Sequence, residues 1–298
     1  MNKSLKGVIL IAIASIFWGL ASTFVKITLQ TRGDPLIIAQ TRVSISAIIL
    51  IIFFLIYDNT KLKIEYKDFV KFLFIGIFGL AGSNYFYYSA IKETTVANAI
   101  LIQYIAPILV AVYSVIFVKE KISRKVLISI ALSTIGIFFA IDGFQLNLST
   151  QHQKGIIFAF AAAFSFATFT ISAKNILKKY NNVTAMIYTF IATSLFWIIV
   201  NPPQNIIEAN YSLNDWGVFI FIAIISILIP YSCYFYGLNL LSGTKAILAA
   251  TLEPIVAIIS EIIFLGTSFT NLKIFGAVLV ILSIVNLSRN NIKNAYRK

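Results

Sequence analysis

Long apolar stretches separated by short polar segments run through almost the whole chain. Ten of these runs, each of about 17 to 25 residues, are long enough to cross the hydrocarbon core of a bilayer as helices. The runs begin near Val8, Leu36, Phe69, Thr94, Val126, Gly155, Thr184, Trp216, Thr244 and Leu272. No segment between them is long enough for a separate soluble domain. The pattern predicts an all-α integral membrane protein with ten transmembrane helices.

The composition agrees with a chain that is surrounded mostly by lipid. It is 59% hydrophobic and 12% charged, with a mean hydropathy of +0.90, whereas a soluble domain is usually about 25% charged. The first run is too long for the core of a signal peptide and lacks a small-residue cleavage site, so we interpret it as a span. The single Cys233 excludes a disulfide framework.

The net charge of +13 reflects membrane topology rather than a nucleic-acid partner, because the basic residues concentrate in alternate segments between the apolar runs. With both termini in the cytoplasm, the outer segments hold few of them. The cytoplasmic set is Lys3, Lys6, Lys61, Lys63, Lys67, Lys71, Lys119, Lys121, Arg124, Lys125, Lys174, Lys178, Lys179, Lys245, Arg289, Lys293, Arg297 and Lys298, and the outer set is Arg32, Lys92, Lys154 and Lys273. We therefore predict a multi-pass plasma-membrane protein with both termini, including a basic tail at 289–298, in the cytoplasm.

The two halves of the chain resemble each other at an offset of 147 residues. YFYYSAIKETTVANAI overlays SCYFYGLNLLSGTKAI, and YIAPILVAVYSVIF overlays TLEPIVAIISEIIF, which places Pro107 on Pro254. The repeats are predicted at 8–142 and 155–288. Because each has five spans, an odd number, the second copy must cross the membrane in the opposite direction. Such inverted repeats are typical of secondary transporters, whose sites lie between the repeats.

The same residues resemble a known family. FWGLASTFVK, Arg42, YYSAIKETTVANA, Pro107 and Glu120 in the first half, and YFYGLNLLSGTKA and the Leu252–Pro254 triplet in the second, are similar to ten-span members of the drug/metabolite transporter superfamily that carry two EamA-type repeats. The family usually has a Gly-Glu pair after the ninth span, where this chain has Gly266 and a threonine. The resemblance implies transport of metabolites or amino acids, commonly export.

Two equivalent prolines interrupt the fourth and ninth spans. Pro107 and Pro254 each leave the carbonyl four residues earlier, at Gln103 and Ala250, without its helical donor. Irregular backbone inside a membrane is tolerated where it lines a cavity. We therefore expect broken helices that act as hinges at a binding site, with passive kinks as the alternative.

Glu253 is the acid placed deepest in a predicted span. It lies about nine residues into the ninth run, or ~13 Å at a rise of 1.5 Å per residue. An ionised acid at the centre of a bilayer costs roughly 3 kcal/mol. Glu253 is therefore expected either to face a wet cavity, where it binds a proton or a cationic group, or to be a protonated structural acid. Glu261 lies nearer the outer surface, and Arg42 is its expected partner.

Rings and amides in several spans could form a pocket that stacks on apolar groups and hydrogen-bonds a polar end. The predicted substrate-binding residues, together with Glu253, are Trp18, Asn84, Tyr88, Gln103, Tyr104, Phe166, Tyr231 and Tyr234. The alternative is structural, because Tyr and Trp populate interface belts and polar groups join helices. The glycines of GIFGLAG are expected to permit close helix packing.

Other function classes find little support. The chain has no G-x-x-x-x-G-K-[ST] loop for ATP, and its one histidine, His152, has no neighbouring metal ligands. We therefore predict neither an enzyme nor a metal or cofactor site. The prediction is a monomeric carrier that exports amino acids or related small metabolites by alternating access, with the proton as a candidate coupling ion. The alternatives are an exporter of drug-like or nucleotide-type metabolites, and a passive channel or non-transport membrane protein.

Overall fold

The computed structural model describes residues 3–32, 35–93, 96–141, 144, 153–266 and 270–289. Within these ranges all regular elements are helices. The α-helices are α1 (Lys3–Arg32), α2 (Pro35–Tyr57), α3 (Phe69–Phe74), α4 (Gly82–Glu93), α5 (Val96–Gln103), α6 (Ala106–Ile116), α7 (Arg124–Ala140), α8 (Gln153–Ile176), α9 (Asn182–Val200), α10 (Pro203–Glu208), α11 (Leu213–Ala223), α12 (Ile229–Leu240), α13 (Gly243–Ala249), α14 (Glu253–Leu265) and α15 (Asn271–Arg289). The predicted basic tail, apart from its first residue, lies outside the described ranges.

Several helical segments of the described chain are long and apolar enough to cross a membrane. They are Lys3–Val25, Leu36–Tyr57, Tyr66–Ala90, Gln153–Ile176, Asn182–Val200, Leu213–Leu240 and Gly243–Phe264. The other predicted spans correspond to shorter or interrupted helices, namely α5 with α6, α7, and α15. The all-helical, multi-span architecture is confirmed, whereas the count of ten stays a prediction.

Two of the long helical segments change from α-helix to π-helix partway along their length. A π-helical segment, Ile75–Ala81, lies between α3 and α4, and a second, Ile224–Leu228, lies between α11 and α12. The two segments fall at corresponding places in the predicted repeats. A π-turn inserts extra backbone into an α-helix and is frequent at functional sites. It therefore re-aims the side chains that follow it in each span.

The helix breaks predicted at the two prolines are present. A turn at residues 104–105 separates α5 from α6, which carries Pro107 in its first turn, and a 3₁₀ turn, Ala250–Leu252, precedes α14, which carries Pro254 in its first turn. The Ala250 carbonyl accepts hydrogen bonds from Ser15 Oγ and from the Tyr104 hydroxyl, each at 3.4 Å. Each hydroxyl has a closer acceptor as well, the Ile11 carbonyl at 2.9 Å for Ser15 and Glu253 Oε2 at 2.8 Å for Tyr104, so the Ala250 carbonyl shares these donors.

Small residues bring the backbones of several helices into contact. A Cβ on Gly76 would lie 2.6 Å from the Cβ of Ala192, so the predicted role of the GIFGLAG glycines in close packing is confirmed. The antiparallel pair α7 and α15 is equally tight, because a Cβ on Gly276 would lie 2.5 Å from the Gly136 carbonyl oxygen. On the same interface Ser129 and Ser283 donate to each other's carbonyls, at 3.0 and 2.8 Å.

A polar cluster joins the segment after α2 to the connection between α8 and α9. We call Glu65, Asp68, Lys71, Lys179 and Tyr180 the Asp68 cluster. Asp68 is 2% exposed and accepts from Lys71 Nζ at 2.6 Å, Lys179 Nζ at 2.6 Å and the Tyr180 hydroxyl at 2.7 Å. Lys179 also contacts Glu65, at 2.6 Å. Hydrogen bonds to these two carboxylates raise the pKa of the Lys179 ammonium above its ordinary value.

Candidate functional site

A cavity of about 430 Å³ lies between the helices of the two halves of the chain. Its volume falls within the roughly 300–1,000 Å³ that is usual for small-molecule sites. Rings and aliphatic groups form most of the wall, and charged, amide and hydroxyl side chains form the rest. The lining residues that the following argument uses are Trp18, Arg42, Asn84, Tyr88, Gln103, Tyr104, Phe166, Tyr231 and Glu253.

The cavity occupies one end of the helix bundle. Its lining includes Val25 in the last third of α1, Arg42 near the start of α2, Ile141 just after α7 and Lys273 near the start of α15. In the predicted topology these helices run in alternating directions, and all four positions then lie toward the end that α1 reaches last. The Asp68 cluster, which lies between the end of α2 and the start of α3, occupies the opposite end. In the predicted topology the cavity end is the outer one.

Aromatic rings form one wall of the cavity. The Trp18 ring meets that of Tyr231 edge-on, with centroids 5.0 Å apart and planes at 70°, a favourable arrangement for ring quadrupoles. Phe166 also lines the cavity. Behind Trp18 and Phe166 lies Tyr234, whose hydroxyl is 2.8 Å from that of Thr170. The wall is therefore backed by a second, fully buried ring.

Glu253 is the carboxylate of the cavity lining. It is the first residue of α14, directly after the 3₁₀ turn, so the helix break places it at the cavity wall. The Tyr104 hydroxyl donates to Glu253 Oε2 at 2.8 Å. Tyr104 itself follows the corresponding break after α5. The two interrupted helices thus meet at this hydrogen bond, which leaves the other carboxylate oxygen available to a ligand.

Arg42 brings a positive charge into the same cavity. It is 6% exposed, its Nη2 donates to Asn84 Oδ1, and its guanidinium carbon lies 5.3 Å from the centroid of the Tyr88 ring. Asn84 Nδ2 donates to the Leu80 carbonyl at 2.7 Å, which turns Oδ1 toward the arginine. The side chain of Glu261, the partner expected for Arg42, lies outside the described residues.

The structure brings nearly all of the predicted substrate-binding side chains into one cavity. Trp18, Asn84, Tyr88, Gln103, Tyr104, Phe166, Tyr231 and Glu253 line it, as does Pro254. Tyr234 is not among the lining residues and lies buried behind the wall, in ring contact with Trp18 and Phe166. Pro107 also lies outside the lining. The roles of these residues in binding and as hinges stay predictions.

Sequence reasoning missed other parts of the wall. Arg42 was assigned to a pair rather than to the cavity, although a charge inside a span is a candidate functional residue by default. Ser83 and Ser226 also line the cavity. Ser226 lies within a π-helical segment and Ser83 follows one closely, and no sequence pattern indicated that winding.

The described part of the chain offers no group of three or more histidine, cysteine, aspartate or glutamate side chains that could hold a metal ion. In the described part of the cavity wall, Glu253 stands among rings, amides and hydroxyls rather than among other ligating groups. What the arrangement can do chemically is to bind a small molecule that has both an apolar part and charged groups.

Known proteins with similar sequences are transporters. The chain is 24% identical to the uncharacterized transporter YyaM of Bacillus subtilis (strain 168) over 92% of this chain and 90% of that protein. It is 26% identical to the threonine/homoserine exporter RhtA of Escherichia coli (strain K12) over 90% and 86% of the two chains. A solved crystal structure at 15% identity superposes with a TM-score of 0.75, covering 96% of this chain and 98% of that one, so it shares the fold.

The family assignment follows from matches in both halves of the chain. The sequence profile described as the EamA-like transporter family matches residues 5–141 and again residues 153–289. Together these matches cover far more than half of the chain. The protein is therefore a membrane transporter that belongs to the EamA-like transporter family, within the drug/metabolite transporter superfamily.

Proposed function

We propose that the protein is a carrier that exports amino acids or closely related small metabolites across the plasma membrane by alternating access. The observation that carries this proposal is the cavity, in which an aromatic wall of Trp18, Phe166 and Tyr231 accompanies the carboxylate of Glu253. Such a wall accepts an apolar side chain, and the carboxylate accepts an ammonium group. The name of the relative RhtA, a threonine/homoserine exporter, points to the same substrate class and direction.

The proposed architecture has ten spans in two inverted five-helix repeats. The contact between α7 and α15 supports it. At the 147-residue offset Ser129 corresponds to Gly276, and Gly136 corresponds to Ser283. The repeat relation therefore maps the Ser129–Ser283 contact onto the Gly276–Gly136 contact. Both contacts are present on the interface between α7 and α15. A two-fold axis within the membrane plane has this effect on equivalent, antiparallel helices.

The Asp68 cluster supports the proposed topology in a second way. It joins the segment between the second and third spans to the segment between the sixth and seventh. Direct contact places both segments on one side of the membrane, so an even number of crossings must separate them. The ten-span scheme has four crossings there. Both segments are then cytoplasmic, together with both termini.

Alternating access requires the cavity end to close while the opposite end opens. We propose that the structure corresponds to the outward-facing form, because the cavity lies at the proposed outer end and the Asp68 cluster joins helices at the other. The breaks before Pro107 and Pro254 supply the bending points. The carrier acts as a monomer in this scheme, and Glu253 is also the group that would carry a coupled proton.

Counterflow in proteoliposomes tests the proposal. Purified protein should exchange at least one labelled amino acid from a broad panel, with saturation. Trp18→Ala should lower the apparent affinity roughly 2- to 10-fold, the worth of an aromatic contact. Trp216→Ala removes the same side chain at α11, away from the cavity lining, and should leave counterflow unchanged. Size-exclusion profiles of both variants exclude a general loss of folding.

Two results would contradict this proposal. Exchange of a nucleotide or a cationic drug, with no exchange of any amino acid, would show that the substrate class is wrong. Flux that neither saturates nor shows counterflow would identify a passive channel.

A further inference from the structure

The cavity is lined by the basic side chains of Arg42 and Lys273 and by the acidic side chain of Glu253. Arg42 and Glu253 both line it, yet among the described side chains no ion pair within 4.0 Å joins them. Opposite charges in a site of low polarity attract strongly when they can approach each other. The two side chains are therefore not joined directly, and each contacts other groups.

The guanidinium is held by two side chains of α4. Asn84 accepts from Nη2, and the Tyr88 ring lies against the guanidinium face. Both partners are neutral, and Nε of Arg42 has no hydrogen-bond acceptor in the described structure. A guanidinium has five N–H donors in a planar fork that matches a carboxylate. These neutral contacts orient the fork without compensating its charge.

The carboxylate is held in the same manner on the other side of the cavity. Tyr104 donates to Oε2 of Glu253 at 2.8 Å, and the same hydroxyl lies 3.4 Å from the Ala250 carbonyl oxygen. The partner is again neutral. Ionisable side chains buried within membrane spans are costly and mark functional sites by default.

A molecule with a negative and a positive group at a short separation would compensate both residues at once. We infer that Arg42 is the specificity-determining residue of the carrier and binds the carboxylate of a zwitterionic substrate, while Glu253 binds its ammonium group. This inference rests on the proposed amino-acid carrier function and adds the residue that selects for the carboxylate. The aromatic wall remains available to the substrate side chain.

The same arrangement discriminates against other substrate classes. A cation without a carboxylate would satisfy Glu253 but would enter beside the unneutralised guanidinium. A carboxylate without an ammonium group would satisfy Arg42 but would approach Glu253 with like charge. Repulsive elements of this kind contribute to specificity as much as attractive ones do. The preference should therefore show in paired ligands that differ in one charged group.

Binding of matched ligand pairs tests the role of Arg42. The probes are L-threonine with L-threoninamide and L-leucine with L-leucinamide, and the readout is apparent affinity from thermal stabilisation of the detergent-solubilised, full-length protein. The wild type should prefer each acid over its amide by at least about tenfold, since a bidentate charge-assisted contact is lost in the amide. Arg42→Gln should bring this ratio close to one. Arg124→Gln, a change at an exposed arginine at the start of α7, should leave the ratio unchanged.

Equal affinity of the wild type for acids and amides would overturn the inference, as would an undiminished acid preference in Arg42→Gln. Retained binding of the amides shows that the variant cavity is intact. If Arg42→Gln does not fold, Arg42→Lys carries the test, because it keeps the charge and loses the planar fork. A reduced acid preference then supports the inference, and an unchanged one contradicts it.

The inference and the proposed function can fail separately. Amino-acid counterflow without a carboxylate preference would refute the role of Arg42 and leave the carrier function standing. If the wild type exchanges no amino acid, the proposed function fails, and 4-methyl-2-oxopentanoate then serves as the probe. Binding of this carboxylate to the wild type and not to Arg42→Gln would still support the carboxylate site. Because Glu253 opposes a carboxylate that lacks an ammonium group, a lack of binding to both proteins is followed by the same probe on Glu253→Gln. Binding there that a second change, Arg42→Gln, abolishes would support the carboxylate site, and no binding there would overturn it.

Discussion

The two ends of the helix bundle treat their buried charges in opposite ways. In the Asp68 cluster the aspartate accepts from two lysines and a tyrosine. At the cavity end Arg42 and Glu253 have neutral partners and face open volume. One end therefore satisfies its charges within the protein, and the other keeps them for a ligand.

This difference separates two uses of polar residues in a membrane protein. A fully satisfied network rigidifies the helices that it joins, whereas a partly satisfied one costs stability unless something else compensates it. Charge changes at the Asp68 cluster should therefore alter stability more than binding. Charge changes in the cavity should alter binding and transport more than stability. The predictions below test that distinction.

The largest effect is expected for Glu253→Gln. The substitution keeps the shape of the side chain and removes the carboxylate, which we propose binds the ammonium group of the substrate or a coupled proton. Counterflow should fall at least roughly tenfold, as for the loss of a charged hydrogen-bond partner, and its dependence on pH should flatten. The unfolding midpoint should change little. Initial counterflow rates at a series of pH values provide the measurement.

Glu208→Gln is the matched control for this substitution, because Glu208 ends the short helix α10 at an exposed position. It should keep wild-type counterflow. Wild-type rates together with an unchanged pH profile in Glu253→Gln would show that Glu253 serves helix packing alone.

A smaller effect, on stability rather than on binding or transport, is expected for Asp68→Asn. The amide cannot pair with Lys71 and Lys179, but both lysines are partly exposed, at 64% and 43%, and can turn to water. The unfolding midpoint in detergent should therefore fall by a few degrees, while the preference for acids over amides stays as in the wild type. Asp58→Asn changes an aspartate that contacts only Thr60 and Lys61 among described side chains and should have less effect. A midpoint no lower than that of Asp58→Asn would refute the stabilising role of the cluster.

The helical architecture could be predicted from sequence because it depends on run length and composition, which are local properties. The helix breaks could be predicted as well, since proline lacks the donor wherever it stands. The seven long segments are confirmed. Among the remaining spans, the turn before Pro107 divides one into α5 and α6, whereas α7 is a single helix of 17 residues.

The cavity could be predicted only in part, because the side of a helix that faces the cavity depends on three-dimensional packing. Tyr231 and Tyr234 lie about one turn apart on α12 and have the same sequence signal, yet only Tyr231 reaches the cavity. Trp18, from a different helix, decides between them by covering the second ring. The position of Arg42 in the cavity wall was not predicted for a similar reason, since its contact with Asn84 connects two helices that no local pattern relates.

The smallest effect concerns the pH dependence of the Asp68 cluster. Hydrogen bonds to Asp68 and Glu65 raise the pKa of Lys179 above its ordinary value of 10.5. A group with a raised folded-state pKa contributes its full stability below the unfolded-state pKa and loses it only as the pH rises through the folded value. The stability that Lys179 supplies should therefore remain constant from neutral pH to about pH 9, well below the pKa of an unperturbed lysine.

The measurement is the difference in unfolding midpoint between the wild type and Lys179→Gln across this range, with Lys178→Gln, a change at an exposed neighbour, as the control. A constant difference is expected for Lys179→Gln and a negligible one for Lys178→Gln. If the difference narrows between neutral pH and pH 9, the ammonium is losing its proton early, and the contacts with Asp68 and Glu65 do not hold it. The contrast between the two ends would then be weaker than the structure indicates, because the Asp68 cluster would not hold its charges within the protein over this pH range.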